Sequence, residues 1–190
     1  MEKALCVYCS SSDAVDPVFF AAARELGAAM ARQGYALVWG GTRVGLMGAL
    51  ARSVQEHGGR VIGVIPRALA ERGIGYEGAD ELIVTRDLRE RKAVMEARAS
   101  GFVALPGGFG TLEELLEILT LKQLGYHQKP VVILNVQGFY APLVELFEHI
   151  YRHRFAKPGF RQLYHVAGSV ADALAYLERY RPPALEDKWW

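Results

Sequence analysis

The sequence has almost no excess charge of either sign. Its 22 Lys and Arg stand against 21 Asp and Glu, a formal net charge of +1 over 190 residues. That balance gives no electrostatic case for a nucleic acid or an anionic membrane surface as partner. No apolar run approaches the ~20 residues that span a bilayer. The N-terminal "MEKALCVYCSS" lacks a basic region, a long apolar stretch and a small-residue cleavage site, so a cytoplasmic protein is expected. Internal repeats, low-complexity segments and linkers are also missing. Cysteine is scarce, with two residues, Cys6 and Cys9. Their C-x-x-C spacing invites a redox or half-zinc reading. However, "ALCVYCS" reads as a buried strand, in which residues three apart point to opposite faces. A redox pair needs a helix N-terminus and zinc needs further ligands, so both cysteines are expected in the core.

What is present is globular. Apolar residues make up 51%, and the length suits one α/β domain with a sizeable core. That domain is expected over residues 1–182. An irregular tail, 183–190, follows two prolines, with Trp189 and Trp190 free to pack on the body or on a partner. Short apolar runs at 4–9, 36–39, 60–65, 81–84, 102–105, 130–134 and 164–166 read as strands. Longer amphipathic runs at 17–33, 45–57, 86–99, 111–124, 138–154 and 169–180 read as helices. The strands are rich in Val, Ile and Leu without polar alternation, as in a sheet covered on both faces. The alternation predicts a Rossmann-like α/β fold: a doubly wound parallel sheet of about seven strands with helices on both faces. Ligands of such sheets bind beyond the carboxyl ends of the strands. There the sequence places "SSSD", "GGTRVGLMG", "PRAL" and "PGGFGT".

Three stretches could carry chemistry. In "WGGTRVGLMG" Gly40 and Gly41 end a strand, and Gly45 opens a helix with an apolar face of Leu46, Leu50, Ser53 and Val54. Glycine lets backbone approach a ligand and a helix start favours anions, although a tight turn with close packing would use the same residues. In "PGGFGTLEE" Thr111 and Glu114 have the T-x-x-E spacing of a capping box, and Glu113 suits the positive end of a helix. The stripe Leu112, Leu115, Leu116 and Leu119 would face the core, with Glu114 on its far side. In "RDLRERKAVMEARA" Leu88 and Met95 define a face on which Arg91 and Lys92 also fall. Cations turned toward the protein need anionic partners, unless they snorkel. His149 and His153 share a helix face but show no third ligand, so no metal is expected. The other histidines, His57, His127 and His165, read as helix-end, loop and strand residues.

With "YCSSSD", "WGGTRVGLMG", "LRERK", "PGGFGTLEE" and "LTLKQLGYHQKPVVILNVQGFY", residues 4–165 resemble the LONELY GUY-type cytokinin riboside 5′-monophosphate phosphoribohydrolases. Members of this family were long labelled possible lysine decarboxylases. The chain departs from the pattern at Thr42, Arg89, Leu88, Cys9-Ser10 and Leu121. The resemblance implies hydrolysis of the N-glycosidic bond of a purine nucleoside 5′-monophosphate. The substrate would be an N6-modified AMP or AMP itself, and the products a free base and ribose 5-phosphate. It implies no metal or organic cofactor, a small-molecule nucleotide as partner and a homodimer. Carried over by position, Arg91 and Glu114 form the catalytic pair. Lys92, Pro106, Gly107, Gly108, Gly110, Thr111 and Glu113 belong to the binding shell. Ser11 joins them from the first loop, and Gly40, Gly41, Thr42, Gly45 and Met47 from the second. In that reading a carboxylate near C1′ stabilises the oxocarbenium charge and orients water. Two other classes stay in view. One is a non-catalytic nucleotide or cofactor carrier, which glycine loops alone would serve. The other is a decarboxylase needing pyridoxal phosphate on a lysine, for which Lys92 is the candidate within a motif.

Overall fold

In the computed structural model, which describes residues 3–184 and 188, seven strands form one all-parallel sheet. They are β1 Ala4–Tyr8, β2 Ala36–Trp39, β3 Val61–Pro66, β4 Glu81–Thr85, β5 Gly101–Ala104, β6 Val131–Leu134 and β7 His165–Ala167, and their order is β4-β3-β2-β1-β5-β6-β7. The helices are α1 Pro17–Arg32, α2 Gly45–Glu56, α3 Arg67–Ala70, α4 Leu88–Arg98, α5 Phe109–Gln123, α6 Ala141–Arg152 and α7 Val170–Arg179. The chain walks outward from β1 to β4, then returns to the other side of β1 as β5. Strand order therefore reverses between β1 and β5, and a crevice opens beyond their carboxyl ends. Tyr8 pairs with Ala104 and Cys6 with Val38, so the loops after β1, β2 and β5 leave the sheet at nearly the same level.

Both faces are covered. On one, Leu5, Val7, Leu37 and Trp39 pack against Leu26 of α1, Leu50 of α2 and Leu174 of α7. On the other, Cys6, Tyr8, Val38 and Ile62 pack against Met95 of α4, Leu115 and Ile118 of α5 and Phe147 of α6. This double burial explains why the inner strands show no polar alternation. Cys9 belongs to the first core and Cys6 to the second, and burial pushes both thiols up. Among the described residues no helix is long and apolar enough to cross a membrane.

Most predicted elements sit where expected, within a residue or two. The differences concern helix ends and short turns. α5 begins at Phe109 with Gly108 as its N-cap, so Thr111 lies inside the helix and the expected capping box does not form. Glu114 bonds elsewhere. The buried face of α5 is Thr111, Glu114, Leu115, Ile118, Leu119 and Lys122. Leu116, expected in the core, is exposed, and Leu112 is half-buried. The stripe is rotated toward Glu114 because an arginine on α4 meets that carboxylate. α6 starts at Ala141, after a 3-10 turn at Val136–Gly138 in which Gln137 takes φ 53°. The single-turn α3 and the 3-10 segment Pro158–Leu163 were not foreseen, being too short to carry a period. Trp189 and Trp190 lie outside the described residues.

Candidate active site

The loops after β1, β2 and β5 enclose a cavity of about 490 Å³ with α4 and α5 on its far side. α4 is fixed at its start by Asp87, whose Oδ1 accepts the N–H groups of Arg89 and Glu90, both at 2.9 Å. One turn later Arg91 points inward. Its Nε donates to the Val64 carbonyl at 3.0 Å, and its Nη1 donates to Glu114 Oε1 at 2.5 Å. Each side chain keeps only 10% of its surface exposed. Gly40 lies beneath the guanidinium; a β-carbon there would overlap Nη2 and the end of Met47. Burial pushes the Glu114 carboxyl above the usual carboxylate range, and the Arg91 guanidinium pulls it back. A buried ion pair adds little to stability, because desolvating both charges offsets their attraction. What it provides is a carboxylate held at a fixed place in a partly dry cavity.

Two glycine-rich helix starts meet at this rim, and only one is open. At α2 the anion-friendly position is filled by the chain itself. Asp13 Oδ1 accepts the Gly45 N–H at 2.9 Å, and the Ser10 carbonyl accepts the Met47 N–H at 3.3 Å. Gly45 takes φ 59°, and any β-carbon would strike the backbone of residues 10–12. Glycine here serves packing. At α5, Gly108 offers no side-chain cap, and residues 108–110 are exposed beside the cavity. Gly108, Phe109, Gly110 and Thr111 line the cavity, and the first turn of a helix, whose N–H groups lack intrahelical partners, favours an anion.

The other expected residues divide. Ser11, Gly40, Thr42, Met47, Gly108, Gly110 and Thr111 line the cavity with the ion pair. Thr42, where the resembled family has glycine, donates from Oγ1 to the Met47 sulfur at 3.3 Å and is buried. Pro106 and Gly107 line an adjoining apolar recess of about 260 Å³ with Phe19 and Phe139. Gly41 packs under β3, against Val64 and Ile65. Lys92 does not enter the cavity; it bridges Glu113 and Glu117, the latter at 2.9 Å, along α5. The partner expected for the two cations is therefore present, but separately for each: Glu114 for Arg91, and Glu113 with Glu117 for Lys92. Sequence reasoning did not assign Asp13, Leu88 or Phe109 to the site, and Leu88, expected with Met95 on the inward face of α4, is exposed at the cavity. Asp13 was visible only as the last letter of "SSSD", and its role depends on Gly45, 32 positions away. His149 and His153 meet at the end of α6 with ring centroids 4.2 Å apart and planes tilted by 43°. Among the described residues no group of three His, Cys, Asp or Glu could hold a metal ion.

Fold and cavity together define a class: a Rossmann-like protein with an uncapped glycine-rich helix start and a buried arginine–carboxylate pair at its switch point. The family model described as "Possible lysine decarboxylase" matches residues 47–177, and the chain belongs to that family, the LOG family of its curated relatives. It is 43% identical over 176 residues to "Probable cytokinin riboside 5'-monophosphate phosphoribohydrolase LOGL1" of Oryza sativa subsp. japonica, covering 93% of this chain and 79% of that protein. It is 41% identical over 180 residues to cytokinin riboside 5′-monophosphate phosphoribohydrolase LOG5 of Arabidopsis thaliana, covering 95% and 79%. Among solved structures it is similar to the molybdenum cofactor carrier protein of Chlamydomonas reinhardtii. There the TM-score is 0.72 at 28% identity, over 94% of this chain and 97% of that one. The decarboxylase description does not fit the site. A pyridoxal group needs a free lysine in the cavity, and Lys92 lies outside it between two glutamates.

Proposed function

We propose that this chain hydrolyses the N-glycosidic bond of a purine nucleoside 5′-monophosphate, either AMP or an N6-modified AMP such as a cytokinin riboside 5′-monophosphate. Water adds to C1′, the bond from C1′ to the base nitrogen breaks, and the base leaves with a proton beside ribose 5-phosphate. The observation that carries this reading is the buried Arg91–Glu114 pair, which lines the same cavity as the uncapped start of α5. Phosphate takes the N–H groups of the α5 first turn. The Glu114 carboxylate then lies near C1′, where it stabilises the oxocarbenium charge and orients the attacking water. Arg91 holds that carboxylate and is within reach of ribose hydroxyls or phosphate. Such fixed electrostatics contribute on the order of 10²-fold or more to a rate. Ser11 and Thr42 supply hydroxyls along the wall.

The catalytic unit is assigned to residues 1–182, in the cytoplasm, as a homodimer. Leu116 on α5 and Leu146 on α6, both exposed, support the dimer, and light scattering tests it. The central experiment is incubation of the purified chain with AMP and with its N6-isopentenyl analogue, followed by chromatography. Release of free base is expected; no base from any purine monophosphate rejects the reading. The carrier-like fold supports one second reading, a nucleotide- or cofactor-carrying protein. Calorimetric binding of AMP without turnover would favour it.

A further inference from the structure

Phe109, the first residue of α5, stands at the mouth of the cavity with 93% of its surface exposed. Leaving a phenyl ring in water forgoes the burial that most aromatic side chains provide. Packing of α5 does not require it, since the buried face of the helix begins at Thr111. No packing contact requires its neighbours to be glycine. A β-carbon at Gly108 or Gly110 would meet nothing within 4 Å. Gly108 has φ −88°, which any residue adopts, and Gly110 is not left-handed. What the two glycines do is bare the N–H groups on either side of a single aromatic side chain. The ring and those residues line the same cavity. Leu88, the first residue of α4, is 57% exposed and lines the same cavity. The floor is thus charged and the mouth apolar.

We infer that Phe109 is the base-recognising residue: its ring stacks on the purine of a bound nucleotide while the phosphate rests on the first turn of α5, and Leu88 closes the edge. The assignment rests on the phosphoribohydrolase reading and adds to it the group that selects the leaving base. Stacking accepts any flat base and tolerates an apolar substituent on its rim. It offers nothing to ribose 5-phosphate, which has lost its base, so that product is held by its phosphate and hydroxyls alone.

The test compares a ligand with a base and one without, on the full chain. Calorimetry on the Glu114→Gln background, which leaves AMP intact, gives Kd for AMP and for ribose 5-phosphate, and turnover of AMP with Glu114 in place gives KM and kcat. Phe109→Ala is expected to weaken AMP about tenfold, the scale of one base–aromatic contact. Ribose 5-phosphate affinity should stay unchanged, with an unchanged Tm because the ring is exposed. Phe109→Trp should restore AMP. Equal weakening of both ligands, or no weakening of either, overturns the assignment. So does a changed molecular mass in light scattering with AMP affinity intact, which would assign Phe109 to a contact between copies. If wild type binds AMP but releases no base, the proposed function fails while the comparison of the two ligands still reads the stacking.

Discussion

Asp13 Oδ1 accepts the amide N–H of Gly45 at 2.9 Å, so the loop after β1 caps the helix after β2. One carboxylate thereby settles which of the two glycine-rich helix starts is left without a side-chain cap. It also holds Ser10–Ser12 in place, since Gly45 packs directly on their backbone. Asp13→Ala should cost about 1 kcal/mol in denaturant unfolding, the typical value of a lost cap. It should also raise KM for AMP more than it lowers kcat, because it loosens a wall of the cavity and leaves the ion pair alone. Stability equal to wild type would show that the bond contributes nothing.

Glu114→Gln keeps the shape of the side chain and removes its charge. Binding of AMP by calorimetry should persist, while kcat falls by roughly 10² or more, the scale of a lost electrostatic contact in a transition state. A variant turning over near the wild-type rate would remove Glu114 from catalysis.

The pH profile follows from the same carboxylate. Burial raises its pKa above the 4.5 of an ordinary glutamate, and the proposed mechanism uses the ionised form. Activity should therefore fall, as pH drops, on a limb lying above 4.5. Arg91 lowers that pKa, so Arg91→Gln should move the limb of its residual kcat/KM to higher pH. A limb that stays in place, or moves down, contradicts the assignment.

Gly40→Ala places a methyl group against Arg91 Nη2 and the end of Met47. Both neighbours are flexible ends, so the fold should yield by moving the guanidinium off Glu114. Activity is expected to drop at least tenfold, with a far smaller loss in Tm, when rates and melting curves are read on one preparation.

Lys122 tests the core. It is 1% exposed, donates to the Leu163 carbonyl at 2.9 Å and lies 4.9 Å from the Tyr180 ring. Burial pushes its ammonium down to about 8, from 10.5. Between these values the unfolded chain binds more protons, so this residue's contribution to stability rises with pH across that window. Its destabilising charge is fully present below about 8. The Tm advantage of Lys122→Met over wild type should therefore be larger at pH 7 than at pH 10. A gap that widens with pH would contradict the buried-cation reading.

Local pattern carried the elements. The strands over Ala36–Trp39 and Val131–Leu134 are apolar runs with no alternative, and α2 and α7 have a clear helical period. Where two readings competed, pattern could not choose. Thr111 and Glu114 have capping-box spacing, yet the helix starts two residues earlier at Phe109. The spacing is a statement about i and i+3 only; where the helix starts depends on how Pro106 and Gly107 leave β5 and pack against Ser10, whose N–H donates to the Pro106 carbonyl at 3.2 Å. Leu116 was expected inside by period, but lies outside because the helix turned Glu114 toward Arg91.

By itself the sequence determined the alternation of strand and helix, the parallel sheet that follows from it, and the presence of two cations on a helix face with carboxylates elsewhere to meet them. These are local or statistical properties, fixed by apolar period and charge type. Only the tertiary structure decided which cation met which carboxylate, since Arg91 and Glu114 lie 23 positions apart and meet because strand order reverses between β1 and β5. Only it decided that Asp13 would close one helix start and leave the other open. Both outcomes depend on distances across the sheet, and no spacing along the chain encodes them.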